Sequence, residues 1–335
     1  MRRLRDILGS PAALRRAALA SVIVNVGIVL TGATVRLTGS GLGCPTVPKC
    51  TDESYVTTAE MGVHGVIEFG NRMLSIVVGL VALLAVASAV AQRPRRGRTL
   101  RWSVVVLAMV VAQGLVGAST VRTDLNPWIV AGHFLGSIAL IAAAYTLWRQ
   151  AGGGPAYAWT PPAPVRALGL LVTAASVAVL TLGTVVTGSG PHAGDENARR
   201  NGLDLGAVTQ LHADSVFLLI GLSLGLWFAL RATGGPTRAA TALLVVELSQ
   251  GLIGFVQYAT DLPVLLVGAH VTGACAVWLA TLTTLSAAAP RVTRPPVAPP
   301  AEVDLPEALT RPARGRPARP AGGEAEELLG LARRR

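Results

Sequence analysis

Residues 250–270 read QGLIGFVQYATDLPVLLVGAH, and residues 113–133 read QGLVGASTVRTDLNPWIVAGH. Both open on Gln-Gly-Leu and carry Thr-Asp-Leu in the middle. Both close on a glycine followed by His, directly or after one residue. Twenty positions separate Gln from His in each copy, and nine separate Asp from His. A second pair of segments extends the likeness: Thr38-Gly39-Ser40-Gly41 and Thr187-Gly188-Ser189-Gly190. The chain is therefore a duplicated unit that delivers a histidine twice at one register, which a scatter of core residues does not do.

What flanks the repeat sets the fold class. Hydrophobic residues make up 51% of the 335, and only 14% are charged; a soluble domain carries about a quarter charged. The class is integral membrane. Apolar runs of at least about 17 residues, enough to cross a bilayer, fall at 16–36, 63–91, 102–122, 128–148, 167–187, 207–230, 239–259 and 264–287. The expected fold is all-α: eight transmembrane helices forming two tandem four-helix bundles. Four spans per repeat give both halves one orientation, so a pseudo-two-fold axis along the membrane normal is expected. The expected domains are a cytoplasmic segment 1–15, a first bundle 16–148, a cytoplasmic linker 149–166 rich in Gly, Pro and Ala, and a second bundle 167–287. A tail 288–335, dense in Pro, Arg, Glu and Ala, is expected to be disordered.

The net charge of +11 suggests nucleic acid only until its placement is read. Arginines cluster before the first run (Arg2, Arg3, Arg5, Arg15, Arg16), after the second (Arg93, Arg95, Arg96, Arg98, Arg101), between the halves (Arg149, Arg166) and at Arg231 and Arg238. That alternation is a topology signal. The partner is membrane lipid, with no nucleic acid. The chain is expected in the plasma membrane with both termini cytoplasmic and loops 37–62 and 188–206 outside. The basic opening lacks a small-residue cleavage site, so it is expected to stay attached to the first span.

In that topology the second, fourth, sixth and eighth spans run inward. His133, His212 and His270 lie five or six residues into such spans, about 8–9 Å deep at roughly 1.5 Å per residue. Histidines at equal depth on facing helices suit axial ligation of a haem iron, and His212 with His270 form the natural pair. One intramembrane His alone reads as a packing residue bonded to a neighbouring helix. Three at matched depth favour ligation, because ionisable groups inside membranes are functional by default. Zinc competes poorly, since no Cys or carboxylate cluster completes a tetrahedral set.

The first half departs from symmetry. Asn71 falls nearest the depth of His212, while His64 lies seven residues earlier. His64, Glu68 and Asn71 share one helical face. Either His64 reaches down to a metal, or the first half offers one strong ligand, His133, and an open face. Glu68 and Arg72, one turn apart, read as a buried ion pair fixing the helix. The preferred alternative is a carboxylate beside a haem edge that accepts protons or stabilises a developing cation. Glu247 has no counterpart in the repeat, and a partner for Gln250 and a proton path both stay open. Cys44 and Cys50, in an outer loop on the oxidising side, are expected to form a disulfide, either structural or redox-active. Cys275 reads as a small core residue. Arg36, Arg122, Arg199 and Arg200 near the outer side offer contacts for propionates, and His192 is expected to be solvated.

Taken together, the eight spans, the histidines on inward-running helices, the Cys pair after Leu-Thr-Gly-Ser-Gly and Glu-Phe-x-x-Arg on the second span resemble the haem A synthase family over about residues 16–287. Each motif alone is weak; the combination is specific. The resemblance implies an oxidoreductase that converts the C8 methyl of haem O to a formyl group by successive hydroxylation, giving haem A for cytochrome oxidase. It implies haem b on His212 and His270, and substrate haem O in the first half at His133, near Glu68. It further implies a haem O synthase and an electron acceptor as partners. Electrons would leave through the second-half haem or through Cys44 and Cys50, and a homo-oligomer stays open. Many relatives carry His three residues after that Glu, where this chain has Asn71; His64 then substitutes, or Asn71 bonds through water. Two rivals remain: a di-haem electron-transfer protein of the cytochrome b561 kind, and a haem-free duplicated transporter.

Overall fold

The structure, a computed structural model, describes residues 6–94, 96–152 and 159–288. Its long helices are α1 Pro11–Leu37, α2 Gly62–Ala91, α3 Gly97–Arg122, α4 Pro127–Gln150, α5 Ala163–Ser189, α6 Leu205–Ala232, α7 Arg238–Ala259 and α8 Val264–Ala287. All eight are long and apolar enough to cross a membrane, and no strand occurs among the described residues. The chain is an all-α, multi-pass membrane protein. Only 11% to 33% of each apolar window is buried inside the protein, so most of each span is left for lipid to cover. The expected disordered tail lies, beyond Ala288, outside the described residues, as does 153–158 of the linker.

Several helices outrun their apolar runs because polar caps, not hydropathy, start them. Ser10 accepts the Ala13 N–H at 3.1 Å ahead of Pro11. Asn126 accepts the Trp128 N–H at 3.0 Å ahead of Pro127, and Asp204 accepts the Ala207 N–H at 2.7 Å. A capping oxygen satisfies a first-turn donor, and proline at the first position has no donor to lose.

The duplicated Thr-Asp-Leu turns out to be a turn with unusual backbone. Asp124 and Leu125 have φ of 50° and 58°, and Asp261 and Leu262 have φ of 59° and 58°. Aspartate tolerates this left-handed region; leucine ordinarily avoids it. The turn closes as Leu125 N–H donates to Thr120 O at 2.9 Å and Leu262 N–H to Gln257 O at 2.8 Å, which satisfies carbonyls left open at the ends of α3 and α7. Leu125 offsets its strain by packing against Ala193, Ala198, Leu42 and Val130.

The main helix contacts recur in both halves: α1 on α2, α2 on α3, α3 on α4 and α1 on α4 match α5 on α6, α6 on α7, α7 on α8 and α5 on α8. The halves also pack on each other, α1 against α8, α4 against α5, and α4 against α8. Side chains fix that seam. Trp278 Nε1 donates to Ile138 O at 2.9 Å, and Tyr145 Oη to Thr283 Oγ1 at 3.1 Å. At the end carrying the cysteine loop, Gly41 N–H donates to Gly194 O at 2.8 Å. The larger core cluster thus runs from the first half onto Leu180, Cys275, Trp278 and Leu282 of the second, and a separate cluster fills the space among α5 to α8.

Candidate functional site

α4, α6 and α8 start at the end of the molecule that carries the cysteine loop. His133, His212 and His270 stand six, seven and six residues past their helix starts. The rings of His212 and His270 meet edge to face, with centroids 6.5 Å apart and planes at 78°. Two imidazoles on opposite sides of one metal, each bound at roughly 2 Å, have ring centres about 6 Å apart. The separation matches that of two imidazoles on one metal. The Nδ1 atoms of His133, His212 and His270 are buried without a hydrogen-bond partner, although buried polar groups are ordinarily paired. His212 also has a backbone partner at Val179 of α5, so its ring is placed by that helix as well as by packing. Among the described residues no group of three or more His, Cys, Asp or Glu could hold a metal ion, so the side chains alone make no tetrahedral zinc site. A facing imidazole pair fits an iron whose other ligands come from a porphyrin.

Each of these rings rests on a glycine of the preceding helix. A β-carbon added to Gly117 of α3 would stand 3.3 Å from His133 Cε1. On Gly183 of α5 it would stand 3.3 Å from His212 Cε1, and on Gly254 of α7 3.4 Å from His270 Cε1. Gly117 and Gly254 hold the fifth place of the duplicated stretch, whose last residue is the histidine they seat. The first residue works on the same helix pair: Gln113 Nε2 donates to His133 O and to Ser137 Oγ, both at 2.7 Å. Gly136 and its repeat mate Gly273 leave room for Gln113 and Gln250. The repeated positions of Gly117 with Gly254 and of Gly136 with Gly273 were the signal available in the sequence; Gly183 carries no such signal.

The other first-half candidates are engaged elsewhere. His64, exposed near the start of α2, has Nδ1 2.9 Å from Ser40 Oγ. Asn71 Oδ1 accepts the Thr31 hydroxyl at 2.7 Å. Neither bond involves His133.

Glu68 and Arg72 hold the cysteine loop. Cys44 and Cys50 form a disulfide, and both residues are 0% exposed. Glu68 Oε2 accepts the Cys44 N–H at 2.6 Å. Glu68 Oε1 accepts Arg72 Nε at 3.1 Å and pairs with Arg72 Nη2. Arg72 Nη1 donates to Thr46 O at 2.8 Å and Lys49 O at 3.1 Å, and Nη2 to Cys44 O at 2.6 Å. Both carboxylate oxygens and all three guanidinium nitrogens are therefore engaged, with Oε2 accepting a single bond and so keeping one acceptor site. The loop backbone lies directly on α2: a β-carbon on Gly43 would collide with the His64 carbonyl. Gly43→Ala is expected to cost about 1–3 kcal/mol through overpacking, read as a lower thermal unfolding midpoint in detergent. Gly70→Ala, where nothing lies within 4 Å, should not lower it.

Two of the four outer arginines, Arg36 and Arg200, and the remaining acid have local partners. Arg36 Nε donates to His192 O at 2.6 Å and Nη2 to Thr187 O at 2.8 Å. His192, read as solvated, instead has Nε2 2.9 Å from Leu262 O. Arg200 donates to Pro191 O at 2.6 Å and Ala198 O at 2.9 Å. Glu247 Oε1 accepts the Ser223 hydroxyl at 2.8 Å, so its partner on this geometry is Ser223 and not Gln250.

Residues 15–194 match the COX15-CtaA family, described as cytochrome oxidase assembly protein. The chain belongs to this family. Curated relatives include a heme A synthase of Alkalihalophilus pseudofirmus, 34% identical over 139 residues, 40% of this chain and 45% of that protein. The heme A synthase of Shouchella clausii is 32% identical over 134 residues, 39% of this chain and 44% of that protein. A protoheme IX farnesyltransferase of Thermus thermophilus is 31% identical over 279 residues, 76% of this chain and 45% of that protein. The chain thus spans a little under half the length of these relatives. The COX15-CtaA match takes in Cys44, Cys50, Glu68 and His133 and ends before His212 and His270, so the facing imidazole pair rests on geometry alone.

Proposed function

We propose that this COX15-CtaA protein is a haem A synthase, an oxidoreductase that converts the C8 methyl of haem O to a formyl group by successive hydroxylation, giving haem A for cytochrome oxidase. One observation carries the reading: within a cytochrome oxidase assembly family, the rings of His212 and His270 lie 6.5 Å apart, a spacing that two imidazoles holding one iron would have. Those residues would hold haem b. Such a group supplies one-electron redox chemistry when bound; the chain's own part is to fix the imidazoles on Gly183 and Gly254. The first half, residues 16–148, would receive haem O at His133, with 167–287 as the haem b half. Glu68 and Arg72 hold the loop of Cys44 and Cys50 over that end.

The heme A synthases among the relatives support the activity. The relative named a protoheme IX farnesyltransferase supports a haem O synthase as the supplier of substrate, and an electron acceptor completes the partners. Arginine placement supports the plasma membrane, both termini cytoplasmic and the disulfide loop outside. The test is co-expression with a haem O synthase, followed by mass spectrometry of extracted haems. Haem A is the expected product. Haem O alone, or haem B alone whether or not this chain is present, overturns the activity, and a colourless purified protein overturns any haem role.

A further inference from the structure

We infer that the first half of the chain offers a porphyrin iron one protein ligand, His133, and leaves the opposite axial side open to a small diatomic ligand. The inference rests on the haem reading above and settles which first-half residues take part. The glycine seats carry it. His133, His212 and His270 each have Cε1 3.3 to 3.4 Å from the place of a missing β-carbon on the preceding helix, His212 with a further backbone partner at Val179, and His133 and His270 each keep a buried Nδ1 free of hydrogen bonds. Ring and seat occur together three times.

The fourth position lacks both. Registering Thr38-Gly39-Ser40-Gly41 on Thr187-Gly188-Ser189-Gly190 puts Thr34 where Gly183 stands. Asn71, nearest in depth to His212, uses its side-chain oxygen to accept Thr31, one turn from Thr34 on α1. An imidazole there would meet a threonine side chain in place of bare backbone, and the residue present is an amide bonded to its neighbour.

His64 does not fill the gap. Its Nδ1 is held at Ser40, and its carbonyl lies against Gly43 of the disulfide loop. That loop is in turn bonded to α2 through Arg72 and Glu68. Seven residues of helix, about 10 Å along the axis, separate it from Asn71. The pinned backbone prevents α2 from sliding to bring it down. The two halves therefore differ chemically: one has two seated imidazoles facing each other, the other one seated imidazole and a neutral amide. A protein ligand on both faces excludes added ligands, whereas a single one admits those of the class of carbon monoxide and dioxygen.

The probes are iron protoporphyrin IX and carbon monoxide, applied to the purified full-length protein already carrying its second-half haem. Wild-type protein is expected to take up one further equivalent, and after dithionite reduction only that equivalent should shift its absorption with carbon monoxide. His133→Ala should abolish the uptake, and His64→Ala should leave the shift unchanged. The double variant Thr34→Gly, Asn71→His restores ring and seat together, and should lower carbon monoxide affinity at least tenfold. The inference is overturned if wild type takes up no further equivalent, if that equivalent ignores carbon monoxide, or if His64→Ala changes the response. A spectrum dependent on His212 and His270 must persist in every sample. Its absence sinks the haem reading itself and this inference with it, whereas its presence beside a silent first half sinks this inference alone.

Discussion

On the proposed function, His270→Ala is expected to yield a folded protein without the low-spin haem spectrum that the second half would otherwise give. The side chain makes no hydrogen bond through its buried Nδ1, and removing it leaves the backbone ladder of α8 intact, so the variant should still purify. Losing residues that merely support a metal ligand costs about 10–100-fold in affinity; losing the ligand itself should cost at least as much. Haem content per mole of protein and the Soret band give the readout, and His212→Ala should behave alike because the two rings face one another at 6.5 Å. Gly254→Ala is the graded version. Its β-carbon would stand 3.4 Å from His270 Cε1, so the ring gives way by tenths of an ångström and the spectrum shifts while haem is retained. A wild-type spectrum in His270→Ala would refute the assignment.

Arg72→Met should be the most destabilising single change on α2. It strips Glu68 of its cation and leaves the carbonyls of Cys44, Thr46 and Lys49 without their donor. Removing one partner of a buried pair costs about 3–5 kcal/mol because the remaining charge stays buried. The expected readouts are a steep fall in the thermal unfolding midpoint and faster reduction of the Cys44–Cys50 disulfide by added dithiol. Arg72→Lys should rescue little, since one ammonium cannot reproduce a planar fork that reaches four acceptors. Glu68→Gln separates anchoring from chemistry. The amide oxygen can still accept the Cys44 N–H, at the loss of the side chain's bond to Arg72. Arg72 keeps its own bonds to the Cys44, Thr46 and Lys49 carbonyls, so the loop should stay seated on those. If the folded variant then fails to make haem A, Glu68 handles a proton as well as the loop; if haem A yield is normal, Glu68 is an anchor and nothing more.

Much of this molecule was legible without coordinates. Apolar runs reveal spans because a bilayer acts on each segment of about 20 residues separately, and a copied segment shows its copy by direct reading. The pairing of Cys44 with Cys50 followed from compartment and closeness in sequence. Less was legible at Glu68, where the preferred reading placed a carboxylate beside a haem edge and said nothing of the loop that its two oxygens hold. The i, i+4 spacing to Arg72 showed that the two side chains meet; it carried no information about the loop carbonyls that fill the rest of the guanidinium. His64 and Asn71 share a face by periodicity, yet one bonds to Ser40 and the other to Thr31.

By itself the sequence determined the eight spans, the duplication and the three histidines, because hydropathy, helical rise and repeat register are properties of a segment read alone. The tertiary structure decided which glycine seats which imidazole, what Arg72 grips, and how α1, α4, α5 and α8 join the halves. Those are contacts between helices distant in sequence. Their outcome turns on a few tenths of an ångström in how closely two backbones approach, and no local period encodes that distance.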